Sequence, residues 1–152
     1  MEMNNKTGRN DPFGLNRFTE AQERVYDTVI SELKSGQKRS HWMWFIFPQI
    51  VGLGHSATSV HYSIKSAGEA RAYLDHPVLG GRLVECSKAI LAVEGRPASA
   101  IFGYPDDMKL KSSMTLFAAV AEDPHSVFAQ VLDKYFQGER DSATLEILKK
   151  FE

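Results

Sequence analysis

A dense run of large side chains at residues 40–49 constrains the fold more than any other feature of this chain. The run reads Ser-His-Trp-Met-Trp-Phe-Ile-Phe-Pro-Gln and holds both tryptophans of the protein. As a helix it would direct Trp42 and Trp44 about 200° apart, and as a strand it would carry large groups on both faces. Neither geometry leaves a polar face, and the run is too short to cross a membrane. We therefore predict that it forms a central element of the core.

Length and charge limit the classes of protein to consider. The chain has 152 residues, 43% of them hydrophobic, with a formal net charge of −1. This length fits one domain, and the charge offers no broad basic field for duplex nucleic acid. We expect no metal site and no cofactor, because the five histidines and the single Cys86 show no metal-ligand spacing. The lone cysteine, the polar N-terminus and the absence of a long apolar stretch predict a cytoplasmic protein without a membrane segment.

Helical spacing of apolar residues recurs along the chain. Residues 1–10 are polar and are predicted to be a disordered tail, whereas residues 11–152 are predicted to form a single all-α domain of about six to eight helices. The first helix is expected to start near Asp11-Pro12. A capping box, Thr19-Glu20-Ala21-Gln22, predicts a second helix that runs to Gly36.

Further start and stop signals divide the second half of the chain. A capping box at Ser66 predicts a helix through Leu74. The one segment that favours a strand is His61 to Ile64. The remaining helices are predicted from apolar spacing and from glycine, proline and aspartate signals at 77–94, 97–102, 105–120, 124–137 and 141–148.

Polar residues at the edges of the aromatic run, together with the predicted helix at 105–120, are the candidates for a site. The run is followed by Gly52-Leu53-Gly54-His55-Ser56, whose amides can approach a ligand closely. On the surface of the predicted helix, Asp106 can pair with Lys109 or Asp107 with Lys111. If that helix packs beside the run, these charged side chains can instead join a site. Aromatic side chains and cations together suit a phosphorylated ligand with a ring. The predicted ligand-binding residues are Lys38, Arg39, His41, Trp44, Gln49, Lys109, Ser112 and Ser113, with His41 and Asp106 as the candidates for catalysis.

Four segments of the sequence together resemble one protein family. They are 41–49, 52–54, 69–80 and 109–117. These segments are similar to the domain-of-unknown-function family 1810, small mainly helical proteins sometimes labelled calpastatin, over about 11–148. The resemblance implies a helical fold and carries no biochemical function with it.

A weaker likeness involves Phe18 to Gln22 and the aspartate and aromatic content. It is to the YbiA-like proteins, which cleave N-glycosidic bonds of ADP-ribose or aminopyrimidine compounds. This likeness implies a reaction class, in which aromatic walls hold a base, cations hold phosphate and a carboxylate lies near the anomeric carbon.

Two functions of different classes follow as expectations. The first is a pocket for a phosphorylated nucleoside or an ADP-ribose-like compound, with hydrolysis of the N-glycosidic bond as the reaction. The second is a non-enzymatic module that binds a protein partner in an aromatic groove. An enzyme of another class and a single-stranded nucleic-acid binder remain open.

Overall fold

The computed structural model describes residues 11–150, so the predicted tail at 1–10 lies outside the described residues. Within them the chain is all-α, as predicted, and contains ten helices. No helix in this part of the chain has both the length and the apolar character to cross a bilayer. The helices are α1 (Asn16–Glu23), α2 (Tyr26–Lys34), α3 (Met43–Ile46), α4 (Ala57–Tyr62), α5 (Ala67–Asp75), α6 (Leu79–Ala92), α7 (Ala98–Phe102), α8 (Asp106–Val120), α9 (Val127–Phe136) and α10 (Ser142–Lys149).

The predicted helix from Thr19 to Gly36 is divided in two. The first helix, expected to start near Asp11-Pro12, begins at Asn16 as α1, and the carboxylate of Asp11 accepts hydrogen bonds from the backbone amides of Leu15 and Asn16. Thr19 therefore lies inside α1, where its hydroxyl donates to the carbonyl of Asn16 instead of capping a helix. A turn at 24–25 separates α1 from α2.

Side-chain caps define several of the later helices. Ser66 accepts a hydrogen bond from the amide of Glu69, as the capping box predicts. Asp141 accepts from the amide of Thr144 at the start of α10, also as expected. Helix α9 begins after Ser126, not at the predicted Asp-Pro pair, because the Ser126 hydroxyl caps it.

Helix α8 contributes to the centre of the core. Its Phe117 ring packs against Tyr73 of α5 at 5.3 Å and against Phe128 of α9 at 5.9 Å between centroids. Where α5 turns into α6, a Cβ on Gly80 would lie 2.0 Å from the carbonyl oxygen of Leu74. Only glycine allows this close approach, which sets the packing of α5 against α6.

The aromatic run is neither a long helix nor a strand. It forms the single turn α3, which ends at Ile46, because Pro48 disfavours the helical conformation at Phe47. Trp42, Met43, Ile46 and Phe47 are buried, so most of the run is core as predicted, whereas Trp44 and Phe45 are half-buried and His41 is exposed.

The predicted strand at His61 to Ile64 is wrong. Most of this segment belongs to α4 and to the turn that follows it. Ile64 forms one isolated parallel bridge with Ile50, in which the Val51 amide donates to Ile64 and the Ile64 amide donates to Gln49, both at 2.8 Å. This bridge ties together the two ends of the segment 52–63.

Candidate functional site

A buried carboxylate fixes the chain just before the aromatic run. Glu32 accepts hydrogen bonds from the backbone amides of Arg39 and Ser40, from the Ser40 hydroxyl and from the Trp42 indole, the last at 2.9 Å. Burial alone would raise the pKa of this carboxyl, but the hydrogen bonds from Ser40, Arg39 and Trp42 outweigh it and lower the pKa to about 2. Glu32 therefore remains charged and orients four donors at once.

A second buried polar side chain fixes α3 from the other side. The amide nitrogen of Gln22 donates to the carbonyl of Phe45 at 2.8 Å and to the hydroxyl of Tyr73 at 3.2 Å. Arg82 donates to the amide oxygen of Gln22. The aromatic wall, which we define as residues 42–50, is thus held to α1, α5 and α6 by a satisfied polar network.

A charged cluster joins the aromatic wall to the first turn of α8. The carboxylate of Asp106 lies 3.0 Å from the ammonium of Lys38 and 3.6 Å from that of Lys109. Lys38 lies over Trp42, with 5.0 Å between ammonium and ring centroid, and Lys109 lies over Trp44 at 5.4 Å. These distances fall in the range of cation–π contacts. One aspartate therefore positions two cations against two neighbouring tryptophans.

The predicted pair of Asp107 and Lys111 does not form. Asp107 accepts a hydrogen bond from the amide of Met108, and Lys111 pairs with Glu139 at 2.7 Å. Only the pair of Asp106 and Lys109 forms as expected.

A narrow cleft opens beside this cluster, and we call it the Trp44 cleft. The aromatic wall forms one side, α8 contributes Lys109, and the segment 52–63, the loop wall, forms the other side. The space that remains open is about 10 Å³, which is room for a single water molecule. The lining residues are Met43, Trp44, Phe47, Gln49, Ile50, Gly54, Ser59, Tyr62, Ser63 and Lys109.

Arg17 anchors the C-terminal end of the loop wall. Its guanidinium donates to the carbonyls of His61 and Ser63, each at 2.8 Å, and to the buried carboxylate of Glu69 at 2.7 Å. The Tyr62 ring packs against Phe45, with 5.4 Å between centroids. The end of the loop wall that carries Tyr62 and Ser63 is therefore well held.

The first part of the loop wall is held differently. Within residues 11–150, no hydrogen bond joins residues 52–59 to a residue outside 52–63. Helix α4 buries none of its residues. The local fit is close, since a Cβ on Gly54 would lie 2.6 Å from the Cβ of Ser59. This part is thus closely packed on itself, and Leu53 packs against the core, but among the described residues no hydrogen bond ties it to the rest of the protein.

Comparison with known proteins identifies the family. The family described as protein of unknown function (DUF1810) matches residues 12–148. The chain belongs to this family. It is also similar to a conserved hypothetical protein from Mycobacterium tuberculosis, whose crystal structure shares 51% identity and a TM-score of 0.89 over 91% of this chain and 99% of that one. No curated protein matches. The likeness to the YbiA-like proteins is not confirmed by these comparisons.

The structure brings together some of the residues predicted for the site of this DUF1810 member. Trp44, Gln49 and Lys109 line the cleft. Lys38 and Asp106 join them through the charged cluster. The shared location of these five residues depends on α8 packing beside the aromatic run.

The other predicted site residues lie apart from the cleft lining. Arg39 and His41 are exposed at the start of the run. Ser112 is buried and donates to the carbonyl of Met108, and Ser113 is buried with no hydrogen-bond partner for its hydroxyl among the described residues. The ligand-binding role of these four residues stays a prediction.

Seven of the ten residues that line the cleft were not among the predicted ligand-binding residues, three of them from the aromatic wall and four from the loop wall. Gly54, Ser59, Tyr62 and Ser63 line it from the loop wall. The paired glycines at 52 and 54 signalled a loop that can approach a ligand, so Gly54 was within reach of that argument. Nothing in the local pattern marked the other three residues of the loop wall, because the bridge between Ile50 and Ile64 is what returns them to the aromatic wall.

Proposed function

We propose that the Trp44 cleft binds a phosphorylated nucleoside or an ADP-ribose-like compound. The observation that carries the proposal is the contact between the Lys109 ammonium and the face of Trp44, 5.4 Å apart. An indole face can stack on a nucleobase, which contributes about 1–3 kcal/mol per base. A lysine ammonium attracts the phosphate of the same ligand.

The remaining polar groups of the cleft suit the sugar between base and phosphate. Gln49, Ser59 and Ser63 supply an amide and two hydroxyls that can donate to or accept from ribose hydroxyls. The cluster of Lys38, Asp106 and Lys109 carries two positive charges and one negative charge. Its net positive charge favours an anionic ligand over a neutral one.

Room for such a ligand has to be made, because the cleft in this conformation holds only about 10 Å³ of open space. Two groups beside the cleft are held in place by few polar contacts. The side chain of Lys109 is partly exposed, and residues 52–59 have no hydrogen bond to the described chain outside the loop wall. We propose that the ligand displaces both and that the aromatic wall stays in place.

Hydrolysis of the ligand's N-glycosidic bond is the reaction we propose for this cleft. A water oxygen forms a bond to the anomeric carbon, and the bond from that carbon to the base nitrogen breaks, with its electron pair leaving on the base. Asp106 takes one proton from the water and passes it to the base nitrogen, so that the products are the sugar with a new hydroxyl and the neutral base. Asp106 suits this role because its carboxylate lies 3.6 Å from the Lys109 ammonium at the cleft. His41 stays the second candidate for proton transfer.

Thermal unfolding with adenosine monophosphate, ADP-ribose and inorganic phosphate at millimolar concentration tests the binding. A ligand at 100 times its dissociation constant adds about 2.7 kcal/mol to the stability. We expect Trp44→Ala and Lys109→Gln to reduce the affinity at least about tenfold, whereas Arg39→Gln, which removes an exposed cation outside the cleft lining, should retain it. The absence of a shift with every compound would contradict the proposal.

Chromatography of the products tests the reaction separately. We expect release of the free base from a bound N-glycoside by the wild type and loss of that release in Asp106→Asn. Binding without release of the base would contradict the proposed hydrolysis and would support a ligand-binding role alone.

One observation favours the alternative of a protein-interaction module. Tyr104 is 84% exposed and Met108 is 43% exposed, and both come shortly before Lys109 in the chain. Large exposed apolar side chains are typical of interaction surfaces. A partner recovered in stoichiometric amount with the wild type, lost with Tyr104→Ser and Trp44→Ala and retained with Arg39→Gln, would support this function in place of the first.

A further inference from the structure

We infer that Asp106 determines the ligand selectivity of the Trp44 cleft by holding Lys109 across the face of Trp44. The inference rests on the proposed function, because it concerns the ligand of the same cleft. In this structure, Asp106 and Trp44 share the Lys109 ammonium. A ligand that replaces both contacts must bring an anionic group for the lysine and a flat ring for the indole.

Asp106 is the fixed member of this arrangement. Its second carboxylate oxygen lies 3.0 Å from Lys38, whose side chain is only 8% exposed. Lys38 in turn donates to the carbonyl of Ser40 at 2.6 Å and lies over Trp42. Ser40 is bound to the buried Glu32, so the carboxylate of Asp106 is linked through Lys38 to the anchored aromatic wall.

Lys109 is the mobile member. Its side chain is 26% exposed. Its ammonium lies 3.6 Å from Asp106, farther than that of Lys38, and 5.4 Å from the centroid of the Trp44 ring. Such exposed contacts are individually weak. A phosphate at the mouth of the cleft can therefore take the ammonium away from Asp106, which uncovers the indole for a base.

This arrangement discriminates among ligands by charge. An uncharged nucleoside would have to displace the ammonium from Trp44 without offering it a new anion. A phosphorylated nucleoside replaces the lost contacts, because its phosphate pairs with the Lys109 ammonium and its base stacks on the Trp44 indole. Asp106 thus competes with the ligand for the Lys109 ammonium. A phosphate can replace the Asp106 carboxylate as the ion-pair partner, whereas a neutral ligand cannot.

The first test needs no ligand. Acrylamide quenching of tryptophan fluorescence in the full chain reports mainly on Trp44, because Trp42 is 1% exposed. Lys109→Ala sets the value for an uncovered ring. We expect Asp106→Asn to raise the quenching constant toward that value. Asp107→Asn is the matched control, since it removes the same charge from the same helical turn, and within residues 11–150 the Asp107 carboxylate accepts one hydrogen bond, from the Met108 amide.

The second test uses adenosine monophosphate and adenosine as probes in calorimetric titrations. Because Asp106→Asn leaves the indole uncovered, adenosine is expected to bind the variant about three- to tenfold more tightly than the wild type, the size expected for losing one exposed ion pair. Adenosine monophosphate gains less, because its phosphate already compensates Lys109, so the preference for it over adenosine falls. Asp107→Asn should bind both probes as the wild type does.

The outcomes separate this inference from the proposed function. If adenosine monophosphate binds no variant but quenching rises in Asp106→Asn, the proposed ligand is wrong while the hold on Lys109 stands. If quenching in Asp106→Asn equals that of the wild type, or if the variant keeps the wild-type preference for adenosine monophosphate over adenosine, the inference is overturned.

Discussion

The two walls of the Trp44 cleft are held in different ways. The aromatic wall is tied from behind by Gln22 and by Glu32, which accepts one hydrogen bond from Trp42 and three from residues 39 and 40 just before the wall. Residues 52–59 of the loop wall have no hydrogen bond to the described chain beyond 52–63, and only the far end of that wall is anchored, by Arg17. The cleft therefore has one rigid side that presents Trp44 and one side that can yield.

The difference shows how a small helical protein divides rigidity and adaptability. A buried charged acceptor with several donors keeps its neighbours in one arrangement, because each lost hydrogen bond would leave a buried group unsatisfied. The first residues of α4, 57–60, lose little when they move, since none of them is buried and the half-buried Tyr62 lies at the other end of the helix. Four predictions follow from this contrast.

The largest effect is expected at the anchor of the aromatic wall. Glu32→Ala removes the acceptor of four hydrogen bonds and leaves the Trp42 indole without a partner. We expect the free energy of unfolding to fall by about 4 kcal/mol in chemical denaturation. Glu23→Ala, at an exposed position on α1, serves as the control and should change it by less than about 0.5 kcal/mol. A loss below about 1 kcal/mol at Glu32 would remove the contrast between the walls.

The pH dependence of the free energy of unfolding should also reflect the hydrogen bonds of the charged Glu32. The pKa of Glu32 is about 2 in the folded protein, below its ordinary value of 4.5. The folded state therefore favours the charged form, so this stabilisation is fully present above about pH 4.5 and is lost as the pH falls toward 2, with a total on the order of 3 kcal/mol. Denaturation curves of wild type and Glu32→Gln between pH 5 and pH 2 check this, and parallel curves would contradict it.

A smaller effect is expected where the loop wall is anchored. Arg17→Lys removes the planar fork that reaches two carbonyls and Glu69 together. We expect a loss of about 2 kcal/mol in stability and faster hydrogen exchange at residues 60–64, with the amides of α3 unchanged. Arg71→Lys, at an exposed position on α5, is the matched control. Equal exchange in wild type and Arg17→Lys would count against the anchor.

The smallest effect compares two helix caps of the same chemistry. Ser66 caps α5, which carries buried Glu69, Ala70 and Tyr73, and Ser56 caps α4, which has no buried residue. We expect Ser66→Ala to reduce global stability by about 1 kcal/mol and Ser56→Ala by less than about 0.5 kcal/mol. Hydrogen exchange should still accelerate locally at α4 in Ser56→Ala. An equal global loss would mean that α4 is as firmly held as α5.

Structural features that depend on residues close together in the sequence were predicted correctly more often than features that depend on distant residues. The cap at Ser66, the cap at Asp141 and the extent of α8 follow from residues three or four positions apart, and these predictions are confirmed. The capping box at Thr19 was wrong because α1 already begins at Asn16, where the Asp11 carboxylate accepts the first amides, so Thr19 lies inside a helix. The strand at His61 to Ile64 was wrong because four residues of favourable composition do not specify a partner strand.

By itself the sequence determined an all-α chain with a mostly buried aromatic run, since apolar spacing and the lack of a polar face are properties of consecutive residues. Only the tertiary structure decided that Lys109 lies over Trp44, that Asp106 lies between two lysines and that Tyr62 and Ser63 return to the aromatic wall. These contacts join residues far apart in the chain. They depend on the packing of α8 beside the run and on the bridge between Ile50 and Ile64, which no local pattern encodes.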